Sequence, residues 1–351
     1  MNWRPYAALA CDANSSLAHS GACLPYMTGQ WCKERDGCEH PKYVLCAHDA
    51  TPLPVLHAER HEADNGPFAA CLRRSRGTVD VLFVGDSQTQ MLMFEFMRWL
   101  DHGRNKPTWR MQKGAPKQRI LDRSEYNLSS IQGIFVGGLY TDSTRMDRLA
   151  TNLSDVSMQL RQAVRSDSHE RRLALIFGVG VWDLVFSAQS GATAIQTFGT
   201  RFAWLLDEIM RIARTYAIAD VVVRNVFVSY TKGPHAVLLP RLDEINHEIA
   251  RRFAEARQAL STRAGSASTA HLHFHDVHAL SWPRRAEMPD GSDGLHWACV
   301  TPHEGTELRS RCDAQLAANS TGRSDEVAWA ALQLALLKLC RIPLVRPETS
   351  F

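Results

Sequence analysis

The sequence predicts an α/β domain of three layers, α/β/α, built on a parallel sheet. Three observations predict it. Short apolar runs recur along the chain, amphipathic segments of helical length separate them, and the first run ends in a tight turn that opens into a helix. That first run, Val79 to Val84, meets Gly85-Asp86-Ser87, and Met91 to Leu100 follows with helix-like apolar spacing. Further runs at Ile131 to Val136, Leu173 to Phe177, Val221 to Val228 and Leu272 to Phe274 read as strands. Arg145 to Val164, Ala194 to Tyr216, Arg241 to Leu260 and Ser324 to Cys340 read as helices long enough to cover a sheet face. The polar, small-residue stretch Ser261 to Ala270 reads as a surface loop, and no repeat of fixed period is present.

Residues 1–75 differ in kind. They are rich in Cys, Pro, His and turn residues, with little sustained periodicity, and read as an irregular cross-linked cap. Six of the nine cysteines lie there (Cys11, Cys23, Cys32, Cys38, Cys46 and Cys71); Cys299, Cys312 and Cys340 come much later. No C-x-x-C pair of the kind common in metal sites occurs, so disulfides are expected, and the odd count leaves one thiol free or intermolecular. Asn14, Asn127, Asn152 and Asn319 each begin an N-x-[ST] sequon, as expected of a protein in the secretory lumen (Golgi) or outside the cell. Met1 to Tyr6 lacks the apolar core of a signal peptide and Ala7 to Ala10 is too short to supply one, so a truncated start is expected.

Composition excludes several classes. The hydrophobic and charged fractions are those of a globular chain, which removes disorder, collagen and coiled coil. Forty Lys and Arg against 37 Asp and Glu give a net charge of +3 with both signs mixed, so nucleic acid is not an expected partner. The longest apolar stretches, Leu173 to Phe186 and Val327 to Cys340, are interrupted by Asp183 and by Gln333 and Lys338. Neither reaches the roughly 18 to 20 residues of a membrane span, so no transmembrane segment is expected.

Ligands of open α/β sheets gather at the carboxyl ends of the strands, where amides of the following helix point outward. Ser87 falls there: it suits a nucleophile whose own amide helps hold an oxyanion, and equally a helix cap beside Asp86. After the last predicted strand comes Asp293-Gly294-Leu295-His296-Trp297. Asp and His three apart can meet on one turn, leaving one ring nitrogen to take a proton from a serine. Alone, the motif equally fits a surface loop. Together the two blocks supply a nucleophile, a base and an orienting acid.

Phe83-Val84-Gly85-Asp86-Ser87 with Asp293-Gly294-Leu295-His296-Trp297 resembles the GDSL/SGNH hydrolase superfamily. Within it, the chain is most similar to the PC-esterase group, which includes trichome-birefringence-like polysaccharide O-acetyltransferases and sialate O-acetyltransferase. The resemblance implies an SGNH-hydrolase-like (flavodoxin-like) catalytic domain over residues 76–345, preceded by the Cys-rich segment. It also implies Ser87 as nucleophile, His296 as general base, Asp293 as its partner and acyl-enzyme chemistry on a glycan hydroxyl. Trp297 would line the site against a sugar face, or simply pack in the core, and Cys299 would tie the histidine loop to the Cys-rich segment. No bound cofactor is expected; an acetyl donor such as acetyl-CoA is the implied co-substrate. Two positions depart from the group. Gln90 stands where relatives usually have Arg, and the plant block "FNTGHWW" corresponds to Phe177 to Asp183, with Gly178 in place of Asn and Val181 in place of His. Oxyanion donors would then be the Ser87 amide, an amide near Gly137 or Gly138, and Gln90.

Asp183, Arg224 and Asn225 end predicted strands on the same rim, where each can contact substrate hydroxyls or make a structural hydrogen bond. His271, His273 and His275 alternate, with His278 following, but roughly 6.5 to 7 Å between alternate residues is too wide for one zinc ion. A partly exposed strand is expected there, and no metal. Arg241, Arg251, Arg252 and Arg257, interspersed with Asp243, Glu244, Glu248 and Glu255, read as a solvated helix face. The expected function is a serine-dependent carbohydrate O-acyltransferase or acylesterase; the alternative is a catalytically weak glycan-binding or wall-structural protein on the same fold.

Overall fold

The computed structural model describes residues 29–32, 42–45, 53–54, 79–100, 117–123, 128–139, 152–164, 172–187, 191–215, 220–228, 239–262 and 271–282, with seven helical positions between 327 and 339. Three short antiparallel strands come first: β1 (Gly29–Cys32), β2 (Lys42–Leu45) and β3 (Leu53–Pro54). Residues 1–75 thus hold some regular structure where an irregular cap is expected from sequence. Cys32 lies on β1; the cysteine pairing lies outside the described residues.

The main sheet has six strands: β4 (Val79–Gly85), β5 (Lys117–Arg123), β6 (Leu128–Phe135), β7 (Arg172–Gly178), β8 (Asp220–Arg224) and β9 (His271–His275), in the order β5-β6-β4-β7-β8-β9. Five are parallel and β5 pairs antiparallel with β6 at one edge. The parallel strands, counted along the chain, lie in the order 2-1-3-4-5. The chain direction across such a sheet reverses between its first and third strands, here β4 and β7, whose carboxyl ends are where open α/β sheets place a ligand crevice.

Helices cover both faces. Side chains alternate across the pleat, so Val79, Val81 and Phe83 of β4 enter one core while Leu82 and Val84 enter the other. The first core is closed by α1 (Ser87–Leu100), α6 (Val277–Ser281) and the helical residues of 327–339. The second is closed by α2 (Leu153–Val164), α3 (Val181–Ser187), α4 (Gly191–Thr215) and α5 (Leu239–Thr262). In α4 the buried positions Phe198, Phe202, Leu205, Leu206 and Ile209 follow the helical repeat and form one apolar stripe. No described helix is long and apolar enough to cross a membrane.

Several expected elements change shape for identifiable reasons. The run Val221 to Val228 leaves the sheet after Arg224, because side chains take over the ladder bonds. Asn246 Oδ1 accepts from Val226 N (2.8 Å), Gln88 Oε1 from Phe227 N (3.1 Å) and Ser281 Oγ from Val228 N (2.9 Å). The α2 helix starts at Leu153, where Asn152 Oδ1 caps it by accepting from Ser154 N (3.0 Å); residues 145–151 of the expected helix lie outside the described residues. Two elements carry no apolar signature of their own. The edge strand β5 reads Lys-Gln-Arg-Ile-Leu-Asp-Arg, charged as edge strands commonly are, and α3 continues the apolar run of β7 beyond Gly180.

The α2 and α4 helices are joined by Glu208, which accepts from Arg211 Nε (2.8 Å), Arg161 Nη2 (3.1 Å) and Ser157 Oγ. Bonding from Arg211, opposed by burial and aided by Ser157 and Arg161, lowers its carboxyl pKa from 4.5 to about 2. A carboxylate whose pKa falls on folding stabilises the fold above its unfolded value and loses that contribution as pH falls through the folded one. Urea titrations of wild type and Glu208→Gln should therefore differ by a constant amount above pH 4.5, and the difference should vanish as pH approaches about 2.

Candidate functional site at the strand switch point

The crevice between β4 and β7 is floored by two glycines in register, Gly85 and Gly178. Gly85 has φ of 154°, and a Cβ there would lie 1.9 Å from the Gly178 carbonyl oxygen, so only glycine allows β4 to end so close to β7. The chain then bends into Asp86, whose amide donates to Gly178 O (3.1 Å), and Ser87 opens α1.

Asp86 is fully buried and caps α1: its Oδ1 accepts from Gln88 N (3.1 Å) and Thr89 N (3.3 Å). Its Oδ2 accepts from Val181 N (3.1 Å), the first residue of α3. One carboxylate thus serves the positive ends of two helices. Its counter-charge is Arg224, fully buried at the end of β8, whose Nη2 donates to Asp86 Oδ1. The same guanidinium donates to Thr89 Oγ1 (2.6 Å from Nη2), Asn225 O (2.8 Å) and Gly178 O (3.2 Å). Burial pulls the Arg224 pKa down and the Asp86 charge pushes it back up; an arginine so bonded stays charged.

Ser87 itself is only partly covered, yet its Oγ is shielded and has no hydrogen-bond partner among the described residues. The amides that Asp86 takes are those of Gln88 and Thr89, which leaves the Ser87 amide outside the cap. Gln90 lies in the first turn of α1, partly exposed. Gly137 and Gly138 follow β6, both buried, on a segment that Val136 N anchors to Gly85 O (2.8 Å) and Arg201 Nη1 anchors through Leu139 O (2.6 Å). Asp183 is fully buried in the first turn of α3. Ser87, Gln90, Gly137, Gly138 and Asp183 therefore all follow the carboxyl ends of β4, β6 and β7. Asp293, His296, Trp297 and Cys299 lie outside the described residues.

Gly178 has no room for any side chain: a Cβ there would meet Arg224 Cγ at 2.2 Å and Nε at 2.5 Å. The arginine from β8 occupies the space that a side-chain donor at 178 would use. Arg224 and Asn225, read from sequence as facing substrate or making structural bonds, are both fully buried. Asn225 Nδ2 donates to Asp276 Oδ1 (2.7 Å) and its Oδ1 accepts from His278 N (3.0 Å), tying β8 to the segment after β9. The arginine's role could have been suspected from Asp220-Val-Val-Val-Arg224, since a cation at the end of an apolar strand demands a buried acceptor.

The alternating histidines do form a partly exposed strand, but their bonding is separate. His273 Nε2 lies 3.2 Å from Asp220 Oδ1, and His275 Nε2 lies 2.8 Å from Ala331 O. His278 sits instead in α6, fully buried, with Nε2 3.7 Å from Asp243 Oδ1 and its ring 5.4 Å from that of Trp282. On the Arg-rich face of α5, Arg251 and Arg252 each reach Glu248 and Glu255; the Arg251–Glu255 pair is exposed, whereas Glu248 and Arg252 are largely covered, so the face expected to be solvated is so only in part. Compared with known proteins, the chain matches no family model and no curated protein.

Two outcomes follow. Gly178→Ala should displace Arg224 and lower stability by about 1–3 kcal/mol in urea titration, as overpacking does. Burial, partly offset by the Asp276 charge, lowers the His278 pKa from 6.5 to about 4, so the folded ring stays neutral while the unfolded one takes up a proton. Wild type should thus lose stability as pH falls from 6.5 to about 4, and His278→Asn should lack that component.

Proposed function

We propose that the protein is a serine-dependent carbohydrate O-acyltransferase or acylesterase on an SGNH-type, flavodoxin-like fold, with Ser87 as nucleophile, His296 as general base and Asp293 as its partner. The observation that carries this reading is the placement of Ser87. Its hydroxyl, without a partner among the described residues, stands at the head of α1 beside the switch point of a 2-1-3-4-5 sheet. A hydroxyl shielded there without a bonding partner is costly unless a further group is to engage it.

In the proposed first step, Ser87 Oγ attacks the ester carbonyl carbon while its proton passes to His296, whose imidazolium Asp293 stabilises. The oxyanion is held by the Ser87 amide, an amide at Gly137 or Gly138, and Gln90. Collapse breaks the bond to the leaving group, which takes the proton from His296. A sugar hydroxyl or water then gives His296 its proton and attacks the acyl carbon; collapse breaks the bond from that carbon to Ser87 Oγ, which takes the proton back from His296. The donor is an acetyl compound such as acetyl-CoA, or an acetylated glycan in the hydrolytic direction, and Trp297 packs on the sugar. The sequons and clustered cysteines support a secretory or extracellular setting.

A second reading, glycan binding without efficient catalysis, is favoured by Gly178, where no donor side chain fits. With p-nitrophenyl acetate as donor, wild type should turn over and carry an acetyl adduct on the Ser87 peptide, while Ser87→Ala should lose on the order of 10³-fold or more. Equal turnover by both proteins rejects the nucleophile. Glycan binding retained by Ser87→Ala, with no adduct on wild type, selects the second reading.

A further inference from the structure

Asp86 is the immediate neighbour of Ser87, and a free carboxylate so placed is the natural acceptor for its hydroxyl. It is already occupied. Oδ1 holds Gln88 N, Thr89 N and Arg224 Nη2, and Oδ2 holds Val181 N. Arg224 fixes the same turn from a second side, since its Nε lies 3.0 Å from Thr89 Oγ1, which itself donates to Gly178 O at 2.7 Å. Its Nη1 reaches Gln88 Oε1 at 3.4 Å, and the guanidinium lies 5.9 Å from the centre of the Phe227 ring. The three residues flanking Ser87 in the turn, Asp86, Gln88 and Thr89, are thus all bonded by one cation from β8, while Ser87 Oγ has no partner among the described residues.

We propose that Arg224 is a positioning residue for Ser87. By holding Asp86 Oδ1 and gripping Gln88 and Thr89, it sets where α1 begins and leaves the Ser87 hydroxyl available to a base. This rests on the nucleophile reading above and deepens it. Arg224 does not meet substrate; it acts through Asp86 and Thr89. The planar fork is what the role needs, because a lysine ammonium carries the same charge but cannot reach Asp86, Thr89 and Asn225 together in one plane.

The test is the rate at which a fluorophosphonate probe labels Ser87, with thermal midpoint and amide exchange at Gln88 and Thr89 measured on the same samples. Arg224→Lys should fold, exchange those two amides faster while α4 and α5 stay protected, and label roughly 10- to 100-fold more slowly per folded molecule, as displaced reacting groups do. A purely structural role would lower the midpoint and leave labelling of the folded fraction unchanged, which overturns the proposal. If Arg224→Lys does not fold, the charge-neutral pair Asp86→Asn with Arg224→Met replaces it, since Asn still caps α1, and the same slowing is expected. Ser87→Ala must not label at all. An unlabelled wild type overturns the nucleophile reading and this proposal with it, whereas a labelled wild type matched by Arg224→Lys overturns the positioning role alone.

Discussion

Two opposite charges shut off from water must satisfy each other, and Asp86 and Arg224 do so where β4, β7 and β8 end. Removing one partner of such a pair leaves an uncompensated buried charge, at about 3–5 kcal/mol, so the chain is held to the one arrangement in which both are met. That arrangement fixes the ends of three strands and the starts of α1 and α3 together.

The pair also explains why the floor of the crevice is glycine on both sides. Gly85 must be bare because β7 passes too close, and Gly178 must be bare because the Arg224 stem lies over it. The space beside Gly178 on β7 is filled by a long side chain reaching over from β8. The arginine's donors are all turned inward to Asp86, Thr89, Gln88, Gly178 and Asn225, so it stiffens the turn at the head of α1.

Much of the sheet was legible because parallel strands buried on both faces leave continuous apolar runs, as at Val81 to Val84 and Leu173 to Phe177. The same logic misled at Val226 to Val228, which are as apolar and as buried as a strand but take their bonds from Asn246, Gln88 and Ser281. Hydrophobicity reports burial and is silent on what pairs with the backbone. The strand β5 was invisible for the opposite reason, since an edge exposes charge, and α3 was hidden in an apolar run that turns a corner at Gly180. At the candidate site, Ser87 was legible from its turn. The partnership of Asp86 with Arg224 was not, because it joins residues 138 apart through a contact that no local pattern records.

The irregular stretch 225–228 has a consequence for how the molecule comes apart. The amides of Val226, Phe227 and Val228 are held by Gln88 of α1 and Ser281 of α6 on one face of the sheet, and by Asn246 of α5 on the other. Neither outer layer can peel away without stranding buried amides of a segment that the opposite layer still grips. The two cores are therefore coupled through one shared backbone segment, although the sheet separates them.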